Sequence, residues 1–70
     1  MSIRKLRNSI GRKIRSLRLE QGLSQEKLAE LVEMSREHIS CLERGKNTIS
    51  IESLYKIAQY FQIDIKEFLQ

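Results

Sequence analysis

The sequence predicts an all-α fold, and three observations carry that prediction. Apolar residues recur at helical spacing, Ser or Asp stands as an N-cap before each later apolar run, and the 70 residues contain neither proline nor an alternating strand pattern. Ile3, Leu6, Ile10, Ile14 and Leu17 follow one another by three, four, four and three positions. They therefore share one face of a first helix over 3–21, closed by Gly22 as a C-terminal glycine. After it, an apolar residue, a cap, three residues and a second apolar residue occur in that order four times. The four are Leu23-Ser24 with Leu28, Met34-Ser35 with Ile39, Ile49-Ser50 with Leu54, and Ile63-Asp64 with Phe68. Each reads as an N-cap inside a hydrophobic staple: the cap oxygen accepts from an otherwise unpaired amide, and the apolar pair fixes the angle of entry. The helices that follow are expected at 24–32, 35–44, 50–61 and 64–69, the last strengthened by Glu67 as the far half of a capping box. Stripes Leu28/Leu31/Val32, Ile39/Leu42 and Leu54/Ile57/Ala58/Phe61 complete the core of a compact five-helix domain spanning 1–70.

Composition narrows the function before any motif is read. A domain of 8.3 kDa gains little from one core, so pairing with a second copy is the natural way to bury more surface. One cysteine, Cys41, and one histidine, His38, cannot form an internal disulfide or a four-ligand zinc site. No apolar run approaches the roughly 18 residues of a spanning helix, and the charged start Met1-Ser2-Ile3-Arg4-Lys5-Leu6-Arg7 leads into no secretory apolar stretch. A cytoplasmic location is expected. The chain has no phosphate-binding glycine loop, no His-Glu-x-x-His and no clustered carboxylates, which argues against an enzyme and against any cofactor or small-molecule ligand.

The net charge of +4 is unevenly placed. Residues 1–23 carry Arg4, Lys5, Arg7, Arg12, Lys13, Arg15 and Arg18 against Glu20 alone, a net +6, whereas 24–45 stand at −2. Either the front of the chain is a solvated helix face, or it faces a polyanion.

Only Glu33 and Met34 separate the second and third helices, so two short helices meet across a tight turn with the small Ala29 at their crossing. Ile39 and Leu42 anchor the third helix and leave its other face outward. Three segments, Ile10-Gly11-Arg12-Lys13-Ile14-Arg15-Ser16-Leu17-Arg18, Gly22-Leu23-Ser24-Gln25-Glu26-Lys27-Leu28-Ala29 and Ile39-Ser40-Cys41-Leu42-Glu43-Arg44-Gly45, together resemble the Cro/C1-type, or XRE-like, helix-turn-helix family. The resemblance spans nearly the whole chain and implies a lambda-repressor-like domain that binds duplex DNA and regulates transcription. Within the family, Arg36-Glu37-His38-Ile39-Ser40 and the run from Glu43 to Ser50 are similar to the controller proteins of bacterial restriction–modification systems. Two departures stand out. Glu33 occupies a turn position where the family commonly has Gly or Asn, at a cost of about 1 kcal/mol if the residue is left-handed, and Asn47-Thr48-Ile49-Ser50 lacks the family's usual Pro.

At about 100° per residue, Glu37, Ser40, Cys41 and Arg44 point away from Ile39 and Leu42, with Arg36 on the flank. A helix entering the major groove by its N-terminal end favours Arg36, Glu37, Ser40 and Cys41 as base readers. Arg36 leads, because its guanidinium can donate twice to guanine O6 and N7. Glu37 accepts from cytosine or orients Arg36; Cys41 packs on a thymine methyl or is a small apolar filler; His38 lies nearer the core. Phosphate contacts are expected from Ser24, Gln25 and Ser35 at the helix starts and from the loop residues Arg44, Lys46, Asn47 and Thr48. The resemblance further implies a structural ion pair between Arg18 and Glu43.

Tyr55 and Tyr60 have no evident internal partner, and the last helix is apolar on more than one side. The resemblance implies a two-fold dimer through this end, with Tyr60, Ile65 and Leu69 as interface candidates. Such a dimer would read a pseudo-palindromic operator and exclude or recruit RNA polymerase. In 70 residues no effector domain is expected, so control would run through concentration and cooperative occupancy. A phage-type repressor, or an antitoxin whose helix pair mainly serves a protein partner, is the competing reading.

Overall fold

The structure, a computed structural model, describes residues 2–46 and 49–69. Four α-helices, α1 (Ile3–Glu20), α2 (Gln25–Leu31), α3 (Arg36–Glu43) and α4 (Ile51–Phe61), are followed by a 3-10 turn over Ile65–Leu69. Among the described residues, none of the helices is long and apolar enough to cross a membrane.

The caps lie where the staple pattern places them. The Oγ atoms of Ser24, Ser35 and Ser50 accept from the amides of Lys27, His38 and Ser53 at 3.0, 3.0 and 3.1 Å. Ser2 caps α1 in the same way by accepting from Lys5 at 3.1 Å, and Met1-Ser2 with Leu6 has the same spacing in the sequence as the four later caps. The helix ends are equally uniform. At the end of α1 the amides of Gly22 and Leu23 donate back to Leu19 and Arg18, and α2, α3 and α4 repeat the arrangement at Glu33-Met34, Gly45-Lys46 and Gln62-Ile63. This paired closure requires a left-handed residue, supplied twice by Gly and twice, at Glu33 and Gln62, by side chains held at φ 58°. Leu23, Met34 and Ile63 then pack on the core, and each serves both as the last contact of one helix and as the staple of the next element.

The expected fifth α-helix is instead the 3-10 turn. Asp64 does not form the capping box: its Oδ1 takes the amide of Lys66, two residues on, while its carbonyl takes the amide of Glu67 at 2.9 Å. With five residues, the segment gains more from seating Phe68 in the core than from completing α-helical hydrogen bonds.

Ile14, Leu28, Ile39, Leu42 and Ile57 are fully buried and join Ile10, Val32, Leu54, Ala58, Phe61 and Phe68 in one core. Each of these side chains larger than Ala58 contributes about 1.5–3 kcal/mol by leaving water. Two expected core residues lie outside it. Leu31 is 40% exposed because Ala29 is buried, which turns the inward arc of α2 toward Leu28, Ala29 and Val32. Ile3 is 63% exposed, one turn beyond the part of α1 that the other helices cover.

Candidate nucleic-acid interface

The helix pair rests on a buried polar junction. Arg18 donates from Nε to Glu43 Oε2 at 2.6 Å and from Nη2 to Glu43 Oε1 at 2.9 Å, a two-point match of guanidinium to carboxylate. The remaining Nη1 donates to the Leu23 carbonyl at 2.8 Å, so the guanidinium links α1 to the start of α2 and the end of α3. Hydrogen bonding to Glu43 holds the Arg18 pKa above its ordinary value, with burial opposing and the Glu43 charge adding to the rise.

Gln25 belongs to the same junction. Its Nε2 donates to Glu43 Oε1 at 3.1 Å, which ties the first residue of α2 to the last of α3. One Nε2 proton is thereby committed within the fold, so a phosphate would meet the second Nε2 proton and the backbone N–H groups at the start of α2.

Close backbone approach fixes α1 against α3. A Cβ on Gly11 would lie 2.5 Å from the Leu42 carbonyl oxygen and 2.6 Å from that of Glu43. Sequence reasoning placed a small residue only at the crossing of α2 and α3, on Ala29, and missed this second one. A glycine inside an otherwise regular helix was the available signal. Gly45, the C-terminal glycine of α3, lies against Asn8 of α1 in the space a side chain would need.

On this frame the outward face of α3 carries the candidate readers. Arg36 and Glu37 are exposed in its first turn, and Ser40 and Cys41 are half-buried. Among the described residues the Arg36 guanidinium makes no hydrogen bond or ion pair, including none with Glu37, so it stands free. Arg44 folds back along the helix, its Nε 3.3 Å from the Ser40 carbonyl and its Nη2 3.6 Å from Cys41 Sγ, and so covers part of the cysteine. His38 is half-buried, as are Ser40 and Cys41. The hydroxyls of Ser24 and Ser35 accept from their own helices and keep a proton to donate. Lys46 is exposed; Asn47 and Thr48 lie outside the described residues.

The three interface candidates do not share one surface. Tyr60 stacks edge-to-face on Phe61 with ring centres 5.0 Å apart, and it borders a cleft with Leu31, Glu33 and Lys56. Ile65 borders an adjoining cleft with Tyr55 and Gln62. Leu69 lies in a separate apolar groove with Ile3, Ile10, Ile49, Ile51 and Leu54.

Two short helices locked across a tight turn, with a free arginine at the exposed start of the second, define a helix-turn-helix DNA-binding domain. Residues 14–68 match the helix-turn-helix family HTH_3, and the chain belongs to this Cro/C1-type, XRE-like family of non-enzymatic transcriptional regulators, which bind DNA. It is 37% identical to the uncharacterised HTH-type transcriptional regulator RC0668 of Rickettsia conorii, over 97% of this chain and 54% of that protein. The chain thus spans about half the length of that relative. It is 35% identical to the control protein C.BamHI of Bacillus amyloliquefaciens, over 91% of this chain and 80% of the relative. Among solved structures, it is similar to the restriction–modification controller protein C.AhdI of Aeromonas hydrophila, with a TM-score of 0.87 and 31% identity, covering 97% of this chain and 99% of that one.

Proposed function

We propose that the domain acts as a homodimer that reads a pseudo-palindromic operator, with control of restriction–modification genes as its role. The observation that carries this reading is the free Arg36 guanidinium at the exposed start of α3, on a helix held from behind by the buried Arg18–Glu43 junction. Arg36 donates to a guanine edge, Glu37 accepts from cytosine or repels phosphate in a wrong register, and Ser40 and Cys41 contact the neighbouring bases. Ser24, Gln25, Ser35, Arg44, Lys46, Asn47 and Thr48 hold the backbone on either side.

Dimerisation places two copies of α3 in successive major grooves about 34–36 Å apart. Support comes from the apolar groups left at the surface: Ile51 is 72% exposed and Leu69 50%, beside the exposed Ile3. Leu69 belongs to this face, whereas Tyr60 and Ile65 border separate clefts. A dimer on a promoter-proximal site excludes or recruits RNA polymerase. The restriction–modification role is supported by likeness to two controller proteins over most of their lengths, together with the Arg36-Glu37-His38 and Glu43-to-Ser50 segments.

Selection of bound duplexes from a random pool tests the reading, combined with the mass of the complex in sedimentation. A symmetric enriched sequence bound by two protomers is expected. Unenriched binding that ignores salt would transfer the helix pair to a protein partner.

A further inference from the structure

We infer that α1 is a second phosphate-binding element, in which Arg4 and Arg15 engage the DNA backbone beside the groove that α3 occupies; this rests on the DNA-reading role proposed above. Three contacts mark the line of α1 that faces the C-terminal end of α3. Asn8 lies against Gly45, Gly11 meets the carbonyls of Leu42 and Glu43, and Arg18 pairs with Glu43. The positions 4, 8, 11, 15 and 18 alternate steps of four and three, so Arg4 and Arg15 continue that line, within about 40° of Gly11 at 100° per residue. Both are exposed, and neither side chain makes an ion pair among the described residues. Glu20, at the last position of α1, is its only acidic residue.

Distance turns this alignment into a contact. Packed helices lie about 8–10 Å axis to axis, and a crossing made through a glycine takes the short end of that range. The major groove is about 12 Å wide between its phosphate walls. A helix so close to the one in the groove overlies a wall, and its cations on the facing line meet phosphates. Lys5 and Lys13, also exposed, point about 120° and 160° away from Gly11, off the line that faces α3.

The test compares two double variants of the full chain, Arg4→Gln/Arg15→Gln and Lys5→Gln/Lys13→Gln, each removing two charges from the exposed surface of one helix. Affinity is measured from low to moderate salt on the selected duplex and on a random-sequence duplex, with circular dichroism to verify folding. Each phosphate contact contributes about 0.9 to the slope of log affinity against log salt. The arginine pair is expected to lower the slope by about 2 on both duplexes without changing the preferred bases, and the lysine pair by less than about 0.5. Equal losses from both pairs, or no loss from the arginines, would overturn the inference. A wild-type chain whose binding ignores salt would instead remove the DNA-reading role beneath it.

Discussion

Arg18 and Glu43 are joined at 2.6 and 2.9 Å across 25 positions of sequence, with side chains only 9% and 2% exposed. Truncating one partner strands the other charge in a dry site. Arg18→Ala or Glu43→Ala is therefore expected to cost about 3–5 kcal/mol in urea denaturation, while Arg18→Met/Glu43→Leu together recovers most of that loss. Because the Arg18 pKa is raised on folding, its contribution is fully present below the unfolded value and is lost only as pH climbs through the folded one. The difference between wild type and Arg18→Met should accordingly stay level from neutral to moderately alkaline pH. A decline across that range would contradict the assignment.

Gly11→Ala tests the crossing of α1 and α3. The added methyl meets two backbone carbonyl oxygens, which cannot swing aside as a flexible side chain would. A loss of about 2–3 kcal/mol is expected despite alanine's better helix propensity, read as a lower melting temperature. A stabilised variant would show that the helices cross with room to spare.

Glu33→Gly tests the turn of the helix pair. Glu33 holds φ 58° to close α2, whereas Gly22 and Gly45 fill the same position after α1 and α3. Removing its Cβ relieves about 1–2 kcal/mol of left-handed strain and adds about 0.5–1 kcal/mol of unfolded-chain entropy. A net gain of up to about 1.5 kcal/mol in chemical denaturation is expected, and a loss would mean that the side chain makes a stabilising contact.

Ser35→Ala removes the cap of α3, where Oγ accepts from the His38 amide at 3.0 Å. A loss of about 1 kcal/mol of stability is expected, partly restored by Ser35→Asp. Equal stability of all three proteins would show that solvent satisfies that amide as well as the hydroxyl does.

Local chemistry made much of this fold legible in advance. Ser24, Ser35 and Ser50 announce their helices because a cap and its staple lie within five residues of one another. The same local grammar misread Asp64, since tertiary seating of Phe68 decides the form of so short a segment. Gly11 was missed because its reason lies 31 positions away, in the carbonyl of Leu42. At the site, helical geometry put Arg36 on the flank of α3 and Ser40 and Cys41 on its outward face, whereas Arg36 is exposed and the other two are half-buried. The engagement of Gln25 with Glu43 depends on how three helices converge, which no spacing in the sequence encodes.

The most direct test of the central claim, that Arg36 reads a base from the start of α3, is the ratio of affinities for the selected operator and a random duplex. It is measured at fixed salt for wild type, Arg36→Ala and Lys46→Ala. Loss of a two-point contact to guanine is worth about 1–3 kcal/mol, so Arg36→Ala should lower the ratio by roughly 5- to 150-fold per half-site and abolish the preference at one symmetric position. Lys46→Ala should weaken both duplexes alike and leave the ratio unchanged. A ratio that survives Arg36→Ala intact would contradict the account and move base reading to another part of the domain.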